Sequence, residues 1–304
     1  MSCDAVAVRP ARHRPWAASV LASAGLCALV AVLMSGPAPQ FGAGITDQAS
    51  GTQASALVSA QVLGDDPPPV QAGPGEAGVM KKGVPFRGTA AVGALFSRVH
   101  GKLGGHFCTA SVLHSPQGNL LITAAHCITG RRLTPAGSME FAPGFAAGKF
   151  PYGLWPVTAA YVDSRWSSDQ NPNDDVAFLV VKRPGKRIEK YTGAETLAVN
   201  RKPPQLVQVI GYPDTTNRPI TCTAPARPYD PGTLRQLVFD CDDYTNGTSG
   251  GPFLTNVSRR TGGGSVVGVI GGYQEGGYSP DVSYSPKFLD SVRDLYKVAT
   301  ARHS

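Results

Sequence analysis

The stretch YTNGTSGGPF, residues 244–253, sets a single serine, Ser249, among glycines. Glycine enters left-handed backbone conformations without the steric penalty of a Cβ, so this frame describes a chain that turns sharply around a hydroxyl. Two readings compete. As Gly247-x-Ser249-x-Gly251 it fits the strained strand-to-helix turn of an alternating α/β chain. It fits a serine loop between the strands of an all-β chain equally well. The surrounding sequence decides between them.

Working outward, short strand-like runs recur at even spacing: GTAAVGALF (88–96), HFCTASVL (106–113), NLLITAAH (119–126), WPVTAAYVD (155–163) and DVAFLVV (175–181). Gly, Pro, Asn and Asp bound them, as in a barrel or sandwich. A polar, Pro- and Lys-rich stretch at 182–205 interrupts the pattern. It resumes with LVQVIGY (206–212), RQLVFDCDD (235–243), GPFLTNV (251–257) and SVVGVIGGY (265–273). At the end, Phe288, Leu289, Val292, Leu295, Tyr296 and Val298 share one helical face, with Pro286 near the expected helix start and Ser285 as its cap. The chain therefore reads as two β units, a joining segment and a terminal helix, with chemistry expected between the units. Its 36 glycines and 26 prolines among 304 residues agree with many turns and few long helices.

The N-terminus reads as a targeting segment. Arg9, Arg12 and Arg14 precede an apolar run over 16–34, which small residues follow. Residues 1–38 are expected to direct export, as a cleaved signal or, since the run is nearly long enough to span a bilayer, an uncleaved anchor. Residues 39–87, including GDDPPPVQAGPGEAG, read as a linker or pro-segment. The two β units are expected at 88–200 and 201–304. The formal charge is +7, of which the first 38 residues hold +2. Ordinary solubility charge accounts for the rest, with attraction to an acidic partner or cell surface as the alternative. No arginine stripe interleaved with aromatics is present, so no nucleic-acid partner is expected.

Export changes what the cysteines mean. Cys3 and Cys27 fall in the targeting segment, leaving Cys108, Cys127, Cys222 and Cys241. In an oxidising compartment four cysteines suggest two disulfides, with three connectivities open. No close C-x-x-C pair supports a metal site, and neither metal nor cofactor is expected.

A serine hydroxyl is a weak nucleophile at neutral pH and needs a base beside it, usually histidine. Of His13, His100, His106, His114, His126 and His303, His126 stands at the end of an apolar strand beside a cysteine, in LITAAHCI. A carboxylate should orient that imidazole. Asp174 and Asp175 both precede an apolar strand; Asp175 adjoins it directly and is the better candidate, Asp174 belonging more to the turn.

TAAHC, DVAFL and GTSGGP, in the order His, Asp, Ser, resemble the trypsin/chymotrypsin-like serine peptidases, and most closely secreted bacterial members related to the glutamyl-endopeptidase (V8-like) branch. The resemblance runs from about Gly88 to the terminal helix. The α/β reading fails beside it, since that fold needs a histidine well after the serine, and only His303 follows Ser249.

The resemblance implies a double six-stranded antiparallel β-barrel with a C-terminal α-helix, acting as a monomeric endopeptidase on polypeptides. His126 would take the Ser249 proton, and Asp175 would fix the imidazole tautomer. The backbone N–H groups of Gly247 and Ser249 would form an oxyanion hole. It also implies pairing of Cys108 with Cys127, leaving Cys222 for Cys241. Gly271 and Gly272 match the edge that pairs with substrate backbone. Asp243 stands where relatives that cut after Lys or Arg carry a pocket acid. The cysteine those relatives place nearby is missing, Asp240 and Asp242 crowd the region, and no pocket histidine of a glutamate-specific enzyme is found. Neither specificity is therefore assigned. A catalytically silent binding protein on the same fold is the alternative function, and a surface-anchored interaction protein a third. Thr248 replaces the acid that pairs with a freed N-terminus in trypsin-like zymogens, so the serine loop is expected to be shaped by its own hydrogen bonds.

Overall fold

The computed structural model describes residues 6–8, 80–129, 138–203 and 205–301. The expected targeting segment and most of the linker lie outside these. Among the described residues no helix is long and apolar enough to cross a membrane.

Six antiparallel strands close the first barrel. In cyclic order they are Val92–Val99, Lys102–Leu113, Leu120–Thr123, Ala177–Val181, Trp155–Val162 and Met139–Pro143. The short strand Val6–Val8 adds to the outside of Trp155–Val162. Side chains alternate between the two faces of a strand, and here both faces are buried. Leu121, Ala177, Leu179 and Val181 fill the barrel interior. Leu120, Ile122, Phe178 and Val180 belong to a second core that also holds Ile210, Leu254, Val292 and Leu295. That double burial is why DVAFLVV is an unbroken apolar run rather than an alternating one.

The second unit is a sheet with the path Val282–Pro286, Gln236–Asp240, Ile220–Tyr229, Gln205–Gly211, Pro252–Thr255, Ser265–Val269, all antiparallel. Its ends approach without forming a ladder; the Gly271 N–H donates to Tyr284 O at 3.0 Å. Val207, Val209, Leu237, Phe239 and Phe253 fill its interior. Thr196–Leu197, from the joining segment, adds in parallel to Ser265–Val269.

Two local expectations change. Val84–Pro85 is a strand on Ile220–Thr221, so residues just before Gly88 are part of the folded unit; two residues with a proline leave no periodic signal. The terminal helix is Asp290–Ala301, and Ser285 and Pro286 end the preceding strand instead of opening the helix. Ser285 Oγ accepts from Val269 N–H at 2.9 Å, a cross-sheet partner that sequence spacing does not reveal. The helix lies against Trp155–Val162 and Ala177–Val181 of the first barrel, burying Val292, Leu295 and Ala299. Tyr296 Oη donates to His114 O at 2.9 Å, so the chain end straps the two units together.

The disulfides are Cys108–Cys127 and Cys222–Cys241, each closing 19 residues. Each lies within one β unit. Loops of that length contribute on the order of 3 kcal/mol apiece by restricting the unfolded chain.

Candidate active site

Leu120–Thr123 runs into two fully buried alanines, Ala124 and Ala125, and His126 then opens the single turn His126–Thr129. The neighbouring Cys127–Cys108 bridge holds that turn to the adjacent strand. Ala124 is small for a reason: a Cβ on Gly271 would lie 3.2 Å from Ala124 Cβ.

Asp175 follows the short helix Pro172–Asp174 and is fully buried. Its Oδ2 lies 2.7 Å from His126 Nδ1 and accepts the Gly272 N–H at 2.7 Å, while its Oδ1 accepts the His126 N–H at 2.8 Å. A carboxylate receiving backbone N–H groups on both oxygens is an acceptor throughout, so Nδ1 carries the ring proton and Nε2 is left with a free lone pair. Burial by itself disfavours the imidazolium. The charge and hydrogen bond of Asp175, with Glu275 further off, outweigh it and hold the His126 pKa above its ordinary value.

Asp174 faces elsewhere. Its Oδ1 pairs with Arg165 Nη2 at 2.7 Å. Burial pushes this carboxyl up to about 6 against the pull of Arg165. Of the two adjacent acids, only Asp175 touches the imidazole.

Each glycine around Ser249 has a steric cause. Gly247 has φ +91°, and a Cβ there would come within 2.5 Å of Tyr212 O and of the Asp214 backbone nitrogen. At Gly250, φ +81°, a Cβ would lie 2.1 Å from Thr123 Oγ1 and 2.2 Å from Thr109 O. The loop is thus pressed onto the strand that leads to His126. Further ties run through Thr109, which is fully buried. Its N–H donates to Ser249 O at 2.7 Å and its Oγ1 donates to Gly247 O at 2.9 Å. The same Oγ1 accepts from Tyr212 N–H at 2.9 Å.

Two amides are left over. The Asn246 carbonyl accepts from Asp214 N–H at 2.8 Å, so it does not fold back onto the serine amide. Among the described residues, the N–H groups of Gly247 and Ser249 donate to nothing. Thr248 is buried, donates from Oγ1 to Thr245 O at 2.7 Å, and packs against Gly211, where a Cβ would meet Thr248 Cβ at 2.7 Å. The loop's own threonine therefore sits where a charged residue would need a partner. Among the described residues no hydrogen bond joins Ser249 Oγ to the imidazole; Nε2 lies 3.9 Å from Cys127 Sγ.

Gly271 and Gly272 pass directly over the buried acid. A Cβ on Gly271 would lie 2.9 Å from Asp175 Oδ2, and one on Gly272 would lie 2.1 Å from Gln236 Oε1. The Gly271 carbonyl accepts no hydrogen bond among the described residues. Gln236, fully buried, donates from Nε2 to Pro172 O at 3.2 Å and accepts the Tyr273 N–H on Oε1 at 3.2 Å. It clamps the Asp175 side to the Gly272 side. Neither Thr109 nor Gln236 carries a sequence signal, because the partners of their side chains lie 37 or more positions away.

Asp243 is exposed in a turn at φ +76°, its N–H donating to Asp242 Oδ1 at 2.8 Å. It is a solvated turn residue rather than a buried pocket acid. Cys108, His126 and Cys127 bring ligand-type atoms within 4.8 Å of one another, but the two sulfurs are bonded to each other and offer no thiolate to a metal.

A family model described as Trypsin matches residues 87–290. Among solved structures, the protease Anisep from Arthrobacter nicotinovorans superposes with a TM-score of 0.61 at 23% identity, covering 71% of this chain and 98% of its own. A thermostable serine protease, AL20, from an extremophilic microorganism gives 0.60 at 23% identity, covering 70% and 98%. A Glu endopeptidase in complex with MPD gives 0.55 at 17% identity, covering 73% and 97%. No curated protein matches the sequence.

Proposed function

The chain belongs to the trypsin family, and from that premise we propose that it is an exported serine endopeptidase in which His126, Asp175 and Ser249 act together. One observation carries the reading: the imidazole is held by Asp175 through Nδ1, leaving Nε2 as a base, on the same seam where Ser249 leaves two amides unused.

In this reading His126 Nε2 takes the Ser249 Oγ proton as Oγ attacks the substrate carbonyl carbon. The developing oxyanion receives the Gly247 and Ser249 N–H groups. Removing one such donor typically costs about 10²–10³ in turnover, so a ready-made pair is a large part of the catalysis. The imidazolium, stabilised by Asp175, then gives its proton to the leaving amine and an acyl-enzyme remains. A water deprotonated by His126 attacks the ester carbon, and Oγ recovers the proton as the acid departs. The unpaired Gly271 carbonyl is placed to accept a substrate backbone N–H, with Gly272 beside it as part of the same edge.

Two disulfides accord with an oxidising compartment, which together with the N-terminal pattern supports export. Asp243 has no assigned part in substrate choice. Incubating the protein with a broad peptide mixture and sequencing the products tests the function and reads its preference. Unchanged peptides from folded protein would leave a binding role instead.

A further inference from the structure

The interrupting stretch at 182–205 opens with KRPGKRIEKY, whose charges the proposed chemistry does not use. Arg183, Pro184, Gly185 and Lys186 form a tight turn: Lys186 N–H donates to Arg183 O at 3.0 Å, and Gly185 has φ +68°. Proline second and a left-handed glycine third specify such a turn. Arg183 and Lys186 are cross-turn partners, so their side chains leave on the same face.

That face borders a pocket of about 280 Å³, open to solvent and lined by Tyr152, Gly153, Trp155, Arg183, Lys186 and Tyr191. The Arg183 guanidinium lies 4.9 Å from the Trp155 ring centre, and Lys186 Nζ 5.7 Å from that of Tyr191. Arg183 Nη1 donates to Tyr152 O at 3.3 Å. Gly153, at φ +71°, leaves room for it, since a Cβ there would lie 3.0 Å from Nη1. Neither cation meets a carboxylate among the described residues. Lys182, Arg187 and Lys190 continue the charge along the chain. The one acid among residues 182–191, Glu189, is turned away to His114, 2.6 Å from Nδ1. Like charges crowded on one turn repel, and the nearby rings return only about 0.5–1 kcal/mol each at exposed sites. A ligand of opposite charge relieves that repulsion.

We propose that this turn and cavity form a binding site for a polyanion whose phosphate or sulfate groups lie closer together than the phosphates of a nucleic-acid strand. The planar guanidinium fork suits an oxyanion bound through two N–H groups, with the ammonium as an adjacent point charge. The cavity is at the small end of ligand pockets, suited to one phosphate or sulfate group and the link that carries it. A lone surface anion would gain little at physiological salt. A repeated one gains at each cation through release of its counterions.

Fluorescein-labelled inorganic polyphosphate, dextran sulfate and a single-stranded oligonucleotide of matched charge, titrated with the full chain at about 50 mM salt, test this. At least one of the first two should bind, more tightly than the oligonucleotide, and change tryptophan emission through Trp155. Which one binds tells phosphate from sulfate. Arg183→Ala/Lys186→Ala should weaken binding about ten-fold or more and abolish the emission change, against under about three-fold for Arg187→Ala/Lys190→Ala. If the first double variant melts early, Lys186→Glu, which keeps the Arg183–Trp155 contact, should give the same loss. Equal losses from both double variants would reduce the effect to net charge and overturn the site. So would no binding of either polymer, or the oligonucleotide binding as tightly.

Discussion

Asp175 of the first barrel accepts the backbone N–H of Gly272 from the second unit at 2.7 Å, on the same oxygen that lies 2.7 Å from His126 Nδ1. One carboxylate thus orients the imidazole and fixes the edge that would meet substrate. Loss of its charge should therefore be felt in catalysis more than in folding. Asp175→Asn presents an amide to the ring, favours the wrong tautomer, and should lower turnover by roughly 10⁴. Asp174→Asn should leave turnover within a few-fold, because Asp174 pairs with Arg165. The two kcat values, measured side by side, check this; the opposite pattern would reassign the acid.

The pH profile follows from the same pair. Only neutral His126 can take a proton from serine, so kcat/KM should rise with pH. The His126 pKa is held above its ordinary 6.5 because Asp175 outweighs burial, so the midpoint should lie above about 6.5. Replacing Asp175 with Asn removes the charge that raises it and should move the midpoint down. A wild-type midpoint below about 6.5 would show burial dominating.

Thr109 is the joint between the serine loop and the first barrel. Thr109→Val keeps the shape but removes the Oγ1 contacts with Gly247 O and Tyr212 N–H. Leaving buried partners unsatisfied should cost about 1–3 kcal/mol of stability. Because Gly247 would also shift, kcat should fall with KM little changed. A stability loss with kcat intact would make Thr109 a packing residue only.

Residues 81–85 hold the segment that leads into the serine loop. Asp242 N–H donates to Lys81 O at 2.8 Å, Gly83 N–H donates to Asp242 O at 2.9 Å, and Lys82 pairs with Asp242 at 3.1 Å. Chains starting at Val70, Gly75 or Met80 should therefore have equal activity and Tm, while one starting at Gly88 should melt lower and turn over more slowly. Thr248 offers no charge to a buried ammonium, and an unpaired one would cost several kcal/mol. Activity from a single start site, abolished by acetylating its amine, would show that an N-terminus does organise the loop.

Much of the fold and of the candidate site is legible in the amino-acid sequence. Ser249, His126 and Asp175 stand in short motifs whose order already excludes the α/β reading, and strand runs bounded by turn residues give the two β units. The features that stay hidden depend on partners distant along the chain. Gln236 looks like an ordinary strand residue until Pro172 and Tyr273 meet it. Ser285 looks like a helix cap until Val269 claims its hydroxyl. Asp243 matches a pocket position by count, yet the chain turns it into solvent, because backbone direction at a positive φ is not encoded in spacing.

The central claim is that Ser249 is a nucleophile activated by His126. Exposing the folded protein to a fluorophosphonate and mapping the modified peptide by mass spectrometry tests it most directly. The account predicts a single phosphonyl group on Ser249 Oγ, formed faster as His126 loses its proton. His126→Ala should be largely unlabelled, and Ser249→Ala should lose both label and peptide turnover. Full turnover in Ser249→Ala, or an unlabelled Ser249 in folded protein that cleaves peptides, would contradict it.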